Sequence, residues 1–186
     1  MGSDNPSGAD NQQERPSSPA WPDGVPRDLG HYVAGFVDGE GSFNVPIRRS
    51  RDRGMPWRVG LSFNVSQVGS EMPRLLRDAF GVGTVCGRGD GVYYYEVTRV
   101  DELEATVFPF FDRFPLRSKK ATDLQIFMEI ATHIRAGRHR TAEGIEEILL
   151  LRSPMNRGGK RRYSDDEIIA VLRAWNPQRP YAELLP

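Results

Sequence analysis

Cysteine is all but absent: Cys86 stands alone in a chain of 186 residues. One thiol rules out an intrachain disulfide and any cysteine cluster for zinc, so the sequence reads as a protein of a reducing compartment. Histidine is nearly as scarce, and His31, His133 and His139 are too scattered to frame a zinc site. No run of about 18 apolar residues occurs, which excludes a membrane-spanning helix and makes a membrane partner unexpected. The N-terminus lacks the basic-then-apolar pattern of a secretory signal, so a cytoplasmic location is the expectation. Lysine is the third scarcity, with Lys119, Lys120 and Lys160 the only three among 25 basic residues. Arginine is the better fork for phosphates and base edges. The wealth of Arg, Gly, Pro and Ala also fits a GC-rich bacterial genome. Finally, the formal net charge is zero, which at first argues against a polyanionic partner.

The distribution of charge argues the other way. Asp4, Asp10, Glu14, Asp23 and Asp28 outnumber Arg15 and Arg27 near the N-terminus. Farther on, Arg48, Arg49, Arg51, Arg53 and Arg58 face only Asp52, and the run Arg152, Arg157, Lys160, Arg161, Arg162 contains no acid. Polyanions respond to such local fields, and a total of zero hides them. The alternative is that both clusters are solvated loops.

Hydrophobic residues make up 38% of the chain, enough for one domain with an ordinary core. Residues 1–26 are rich in Ser, Pro, Gly, Asn, Gln and Asp, which predicts a disordered tail ahead of a single domain over 27–186. A short helix follows, with Asp28 as N-cap, Leu29, Tyr32, Val33 and Phe36 as apolar positions, and an end at Asp38-Gly39. Phe43, Val45 and Ile47 then alternate with polar neighbours, as do Trp57, Val59, Leu61, Phe63 and Val65, so a hairpin with an arginine-rich tip is expected. Pro46 is out of place in such an arm unless it sits at an edge or bulge. Ser70 and Gly81 bracket a helix, and "GDG" at 89–91 turns a second hairpin between arms over 82–88 and 92–98. Tyr93 and Tyr95 belong on its core face, leaving Tyr94 outside. Asp101 and Glu104 have the spacing of a capping box for a helix toward Phe111, and further helices are predicted over 118–135, 141–151 and 164–175. The order α-β-β-α-β-β-α, then more helices, makes an α+β fold: a four-stranded antiparallel sheet with helices on its apolar face. Its other face carries Arg, Asn, Ser, Tyr and Glu. Such a face can be plain solvated surface, but with arginine-rich loops at the strand ends it suits base edges in a major groove.

One stretch resists a purely structural reading. "VAGFVDGEGSF", Val33 to Phe43, puts Asp38 and Glu40 at the end of a helix, where the dipole disfavours acids by a few tenths to about 1 kcal/mol each unless a cation compensates. Asp38-Gly39 passes as a turn signal. Glu40 does not, and the glycines on both sides leave carbonyls open and let a phosphate or another backbone come close. A hard divalent ion takes one or two carboxylates together with carbonyl and phosphate oxygens. Ala34, Gly35 and Gly39 are small enough for two such helices to touch and bring two Glu40 carboxylates together.

This stretch resembles the signature of the LAGLIDADG homing endonucleases, in the form found in single-motif, homodimeric members. "LSFNVSQ" (61–67), "FGVGTV" (80–85) and "PLRSKKATDL" (115–124) are similar to recurrent segments of the family, so the resemblance runs from about Leu29 to Trp175. It implies the αββαββα endonuclease fold and hydrolysis of one phosphodiester in each strand of a long pseudo-palindromic DNA site. It implies Mg²⁺ as cofactor, or Mn²⁺, with Ca²⁺ binding without supporting cleavage. By position in the motif, Glu40 is the expected metal ligand with the Gly39 carbonyl beside it, and Tyr32, Ala34, Gly35 and Asp38 belong to the dimer interface. Gln67 matches a water-positioning residue. A basic residue before the long helix supports the site in the family: Arg117 fits by register, Lys119 by chemistry, and Lys120 lies in the same neighbourhood. The family's further basic residue shortly after Gln67 has no counterpart in 68–73. Base or sugar contacts are expected from Asn44, Arg48, Ser50, Arg58, Ser62, Asn64, Arg88, Tyr94, Glu96 and Thr98, and phosphate contacts from Arg51, Arg53, Lys160, Arg161 and Arg162. Two alternatives share the scaffold: an RNA-binding intron maturase, and a nuclease-inactive DNA-binding regulator. The second would be marked by loss of the carboxylate at position 40, which is present.

Overall fold

The helix carrying the acidic motif, α1 (Arg27–Glu40), passes into the first strand without a loop. Gly41 makes this possible: a Cβ there would lie 2.6 Å from Val37 Cγ1, so no other residue fits the corner. In the computed structural model, which describes residues 21–50, 54–155 and 161–175, the strands are β1 (Gly41–Asn44), β2 (Ile47–Arg49), β3 (Trp57–Val59), β4 (Ser62–Val68), β5 (Thr84–Gly87) and β6 (Val92–Val97). Helix α2 (Glu71–Phe80) separates β4 from β5. After β6 come α3 (Val100–Glu102), a π-helical turn Leu103–Val107 and α4 (Phe108–Arg113), continuous with one another, then α5 (Lys120–Arg135), α6 (Ala142–Arg152) and α7 (Asp165–Ala174).

The expected four-stranded antiparallel sheet is present, in the order β1-β4-β6-β5. Its register places Phe43 opposite Phe63 and Phe63 opposite Val97, a row that faces the helices. Ser42, Asn64, Glu96 and Thr84 form the neighbouring row on the opposite face. Alternation along each strand is what makes one face apolar and the other polar. Against the apolar face, Phe43, Phe63, Val65, Tyr95 and Val97 are buried together with Phe80, Phe110, Phe111 and Phe127. Phe43 stacks on Phe63 at 5.1 Å, and Phe110 meets Phe80 at 4.8 Å. Burying each such ring contributes about 1.5–3 kcal/mol, which makes this cluster the main stabiliser of the sheet.

Three expectations about the course of the chain need correction. The first hairpin is one register but not one sheet: Asn44 pairs with Ser62 and Ile47 with Val59, while the ladder breaks between them. Pro46 has no N–H to give, and only its carbonyl takes part, accepting from Gly60 N at 3.0 Å. The outer half, β2–β3, is therefore a separate ribbon. Its apolar side, Ile47 and Trp57, packs on Ile145, Leu149, Ile168 and Leu172 of α6 and α7 as a second small core. Next, the helix after β6 is uneven because Pro109 cannot bond the carbonyl of Ala105 and its ring crowds that group, so the preceding turn widens. Lastly, the packed chain starts before residue 26. Trp21 stacks on Phe110 and donates its indole N–H to Thr106 O at 3.1 Å, and Val25 is buried. Composition pointed to a loose tail there because two apolar anchors are lost among prolines and polar residues.

Two caps follow the sequence. Gly81 closes α2 in a left-handed conformation at φ 68°. Ser164 and Glu167 form a reciprocal capping box on α7. Asp101 and Glu104 do not form one: α3 starts without a side-chain cap.

Candidate active site and nucleic-acid face

The last turn of α1 contains no basic residue, so its carbonyls need a cation from elsewhere. Lys120, the first residue of α5, supplies it: its ammonium donates to Asp38 O at 3.1 Å and Gly39 O at 2.8 Å. Asp38 returns the arrangement from the other side. Its carboxylate accepts from Arg117 N at 3.1 Å, Ser118 N at 2.9 Å and Ser118 Oγ at 2.6 Å. The C-terminus of α1 and the N-terminus of α5 are thus clamped together by reciprocal bonds. Partial burial pushes the Asp38 pKa up, but the Ser118 hydroxyl, the Arg117 and Ser118 amides and the Lys120 charge outweigh it, and the carboxyl lies below its ordinary range.

The clamp leaves Glu40 and Gly39 exposed at the head of edge strand β1. Glu40 has no ion pair among the described residues. Gly41 pairs with Val65, so Gln67, two residues farther along β4, lies at the end of the sheet where α1 stops. Of the basic residues considered for this site, Arg117 contributes a backbone N–H and turns an exposed side chain outward. Lys119 lies 3.9 Å from the buried carboxylate of Asp123. Lys120 is the one whose side chain touches the motif. The signal that identifies it is the uncompensated helix end, which register and residue type did not weigh.

Can these groups hold a divalent ion? No cluster of three His, Cys, Asp or Glu occurs among the described residues, which excludes an all-protein cage there. One exposed carboxylate and one exposed carbonyl do fit a hard cation such as Mg²⁺, which keeps waters and shares substrate phosphates. The Gly39 carbonyl has two lone pairs, so the Lys120 bond does not exhaust it.

On α1, Tyr32 is 55% exposed, and a Cβ at Gly35 or Gly39 would meet nothing within 4 Å. These residues line one open side of the helix. Ala34 does not join them: it faces the core at 4% exposure, beside Val33 and Val37.

The polar sheet face carries an internal network. Asn64 Nδ2 donates to Ser62 Oγ at 2.9 Å, and Ser62 Oγ donates to Glu96 Oε1 at 2.6 Å. Tyr94 lies on this face opposite Cys86, with the Arg88 guanidinium 5.5 Å over its ring. Its neighbour Cys86 raises the Tyr94 pKa, partial burial and the Glu96 charge add to the rise, and the Arg88 charge opposes it. In the ribbon, Arg48 and Arg58 are cross-strand partners, both exposed.

Several expected contacts are placed differently. Ser50 is buried at 3% exposure, its amide closing the ribbon onto Pro56 O. Ser62 is also buried, beneath its partners. Arg161, read as a phosphate contact, is instead held by Asp165 Oδ2 at 2.9 Å and the Arg152 carbonyl at 3.0 Å. Asp165 was missed because it sits beyond the basic run in sequence. Arg162 and Thr98 are exposed, and Asn44 lies in the outward row of β1. Arg51, Arg53 and Lys160 lie outside the described residues.

An antiparallel sheet with one polar face and an acid-tipped helix at its edge defines the class of fold, and comparison with known families places the chain within it. The model of the LAGLIDADG endonucleases matches residues 33–131, and the chain belongs to that family. It is similar to the crystal structure of the homing endonuclease I-TnaI, with 33% identity and a TM-score of 0.65, over 70% of this chain and 89% of that one. It also matches the I-SmaMI LAGLIDADG homing endonuclease bound to cleaved DNA, with 26% identity and a TM-score of 0.68, over 81% of this chain but 50% of that one. A probable intron-encoded endonuclease of Neurospora crassa is 28% identical over 129 residues, which is 67% of this chain and 24% of the relative. The chain therefore spans about a quarter of the length of that fungal protein.

Proposed function

We propose that the chain is a site-specific DNA endonuclease that binds duplex DNA on its polar sheet face and cuts both strands as a homodimer. The α1–β1 corner carries this reading, because it presents Glu40 at the sheet edge with the Lys120 cation held one residue away on the Gly39 carbonyl. Glu40 and the Gly39 carbonyl would hold Mg²⁺ or Mn²⁺, which when bound polarises the scissile phosphate and lowers the pKa of water. Lys120 places a fixed positive charge where negative charge grows on the phosphate oxygens, and the clamp to Asp38 keeps it there without reorganisation. Gln67, at the same end of the sheet, orients water by hydrogen bonding. Arg48, Arg58, Asn64, Arg88 and Tyr94 offer donors and a ring to base edges and backbone.

Two copies fit this reading, because the motif occurs once in these 186 residues. The match to half of the I-SmaMI chain supports this, as does the open side of α1 with Tyr32, Gly35 and Gly39. A two-fold dimer reads a pseudo-palindromic site.

The test is selection of cleaved sequences from a randomised duplex library by the full chain with Mg²⁺, Mn²⁺, Ca²⁺ or chelator. The expected result is recovery of a near-symmetric site with Mg²⁺ or Mn²⁺, binding without cleavage in Ca²⁺, and loss of cleavage with binding retained in Glu40→Gln. Undiminished metal-dependent cleavage by Glu40→Gln overturns the assignment of the acid. RNA binding without any DNA cleavage would favour a maturase.

A further inference from the structure

The β2–β3 ribbon leaves the sheet at Pro46, and something must fix the angle at which it leaves. The break strands the carbonyl of Val45, a buried residue. Arg152, at the end of α6, answers it: Nη1 donates to Val45 O at 3.0 Å and Nη2 to Asp165 Oδ1 at 2.6 Å. The other Asp165 oxygen accepts from Arg161, which also bonds the Arg152 carbonyl. These bonds tie the sheet edge, the end of α6 and the start of α7 to one guanidinium, itself only 5% exposed. A buried cation is a costly way to fill space, and an apolar residue of similar volume often does as well or better. Here its donors fix three elements relative to one another, which an apolar side chain cannot do. Arg49 adds a lateral contact, 4.6 Å over the Trp57 ring, with Tyr163 edge-on to Trp57 at 5.0 Å.

We infer that Arg152 is a positioning residue that sets the angle between the four-stranded sheet and the β2–β3 ribbon, and so determines which DNA positions Arg48 and Arg58 reach. It touches no nucleic acid itself. The consequence for DNA rests on the endonuclease reading; the joint does not.

The joint can be measured without DNA. Spin labels on native Cys86, exposed on β5, and on a cysteine introduced by Gly54→Cys beside the ribbon report their separation by pulsed dipolar spectroscopy. A single narrow distance distribution is expected with Arg152 in place, a broadened or shifted one in Arg152→Met, and an intermediate one in Arg152→Lys. If Arg152→Met loses cooperative melting, Asp165→Asn, which leaves the Arg152–Val45 bond intact, takes its place and should broaden the distribution less. An unchanged distribution in the folded variant overturns the joint. The unlabelled variants then enter the library selection. Preference at the outer positions of each half-site should relax while inner preference and single-turnover cleavage of saturated DNA persist. A broadened distribution with unaltered outer preference overturns the link to recognition. Failure of the parent chain to select any DNA overturns the endonuclease reading, while the distances still decide the joint.

Discussion

Replacing Asp38 by alanine tests the clamp beneath the candidate active site. The carboxylate accepts three donors at the start of α5, the amides of Arg117 and Ser118 and the Ser118 hydroxyl, at 2.6–3.1 Å. Hydrogen bonds to a charged group contribute about 1.5–3 kcal/mol when water is excluded. Arg117 and Ser118 are exposed, so water takes over part of that role and the loss should resemble that of a helix cap, about 1–2 kcal/mol. For a chain of this length that lowers Tm by roughly 2–8 °C. The pH dependence has a definite sign. A carboxyl held below its ordinary 3.8 contributes stability that is fully present above that value and is lost as pH falls through its lower, folded value. Urea unfolding of the parent, Asp38→Asn and Asp38→Ala should show a gap at neutral pH that closes only in the acid range below 3.8. Equal midpoints at pH 7, or a gap that widens on acidification, would refute the reasoning. Cleavage should fall further than stability, because the same bonds hold the segment that carries Lys120.

Gly35→Leu should leave the protomer as stable as before, or more so by up to about 1 kcal/mol from helix propensity, because a Cβ there meets nothing within 4 Å. Sedimentation should nonetheless show dimer converted to monomer, and a parent chain that is monomeric on its DNA would contradict the two-copy reading. Gly30→Ala should behave oppositely: its Cβ would come within 2.3 Å of the Phe114 ring, and overpacking costs about 1–3 kcal/mol in thermal or urea unfolding. Arg48→Ala and Arg58→Ala should each flatten the slope of log K against log salt by about 0.9. An unchanged slope would remove the ribbon from the DNA interface.

The periodic elements were legible because burial selects every second residue in a strand, and Phe43, Phe63, Val65 and Tyr95 obey that rule. The motif was legible because Gly41 and the acids form a local pattern with a steric reason behind it. What escaped depends on contacts between distant segments. Lys120 reaches Gly39 across 81 positions, and Arg152 reaches Val45 across 107. Helical period alone could not decide that Ala34 faces the core while Gly35 faces outward, because both are small. Pro46 gave a warning that the ladder would break, but not that the ribbon beyond it would acquire its own core with α6 and α7.

A net charge of zero can coexist with the proposed polyanion-binding face because six of the acids are paired with arginines. Asp78 takes Arg77, Asp101 takes Arg99, Asp23 takes Arg113, Glu104 takes Arg135, Glu147 takes Arg138, and Asp165 takes both Arg152 and Arg161. Each pair cancels within a few ångströms and contributes little field beyond the Debye length of about 8–10 Å. Arg48, Arg117 and Arg162 have no ion pair among the described residues, and they lie on the ribbon, at the start of α5 and before α7. Arginines that were a single class in the composition thus divide by structure into structural ties and displayed cations. The displayed ones flank the sheet whose head carries Glu40, which is the distribution the proposed DNA-cutting face requires and a balanced total cannot reveal.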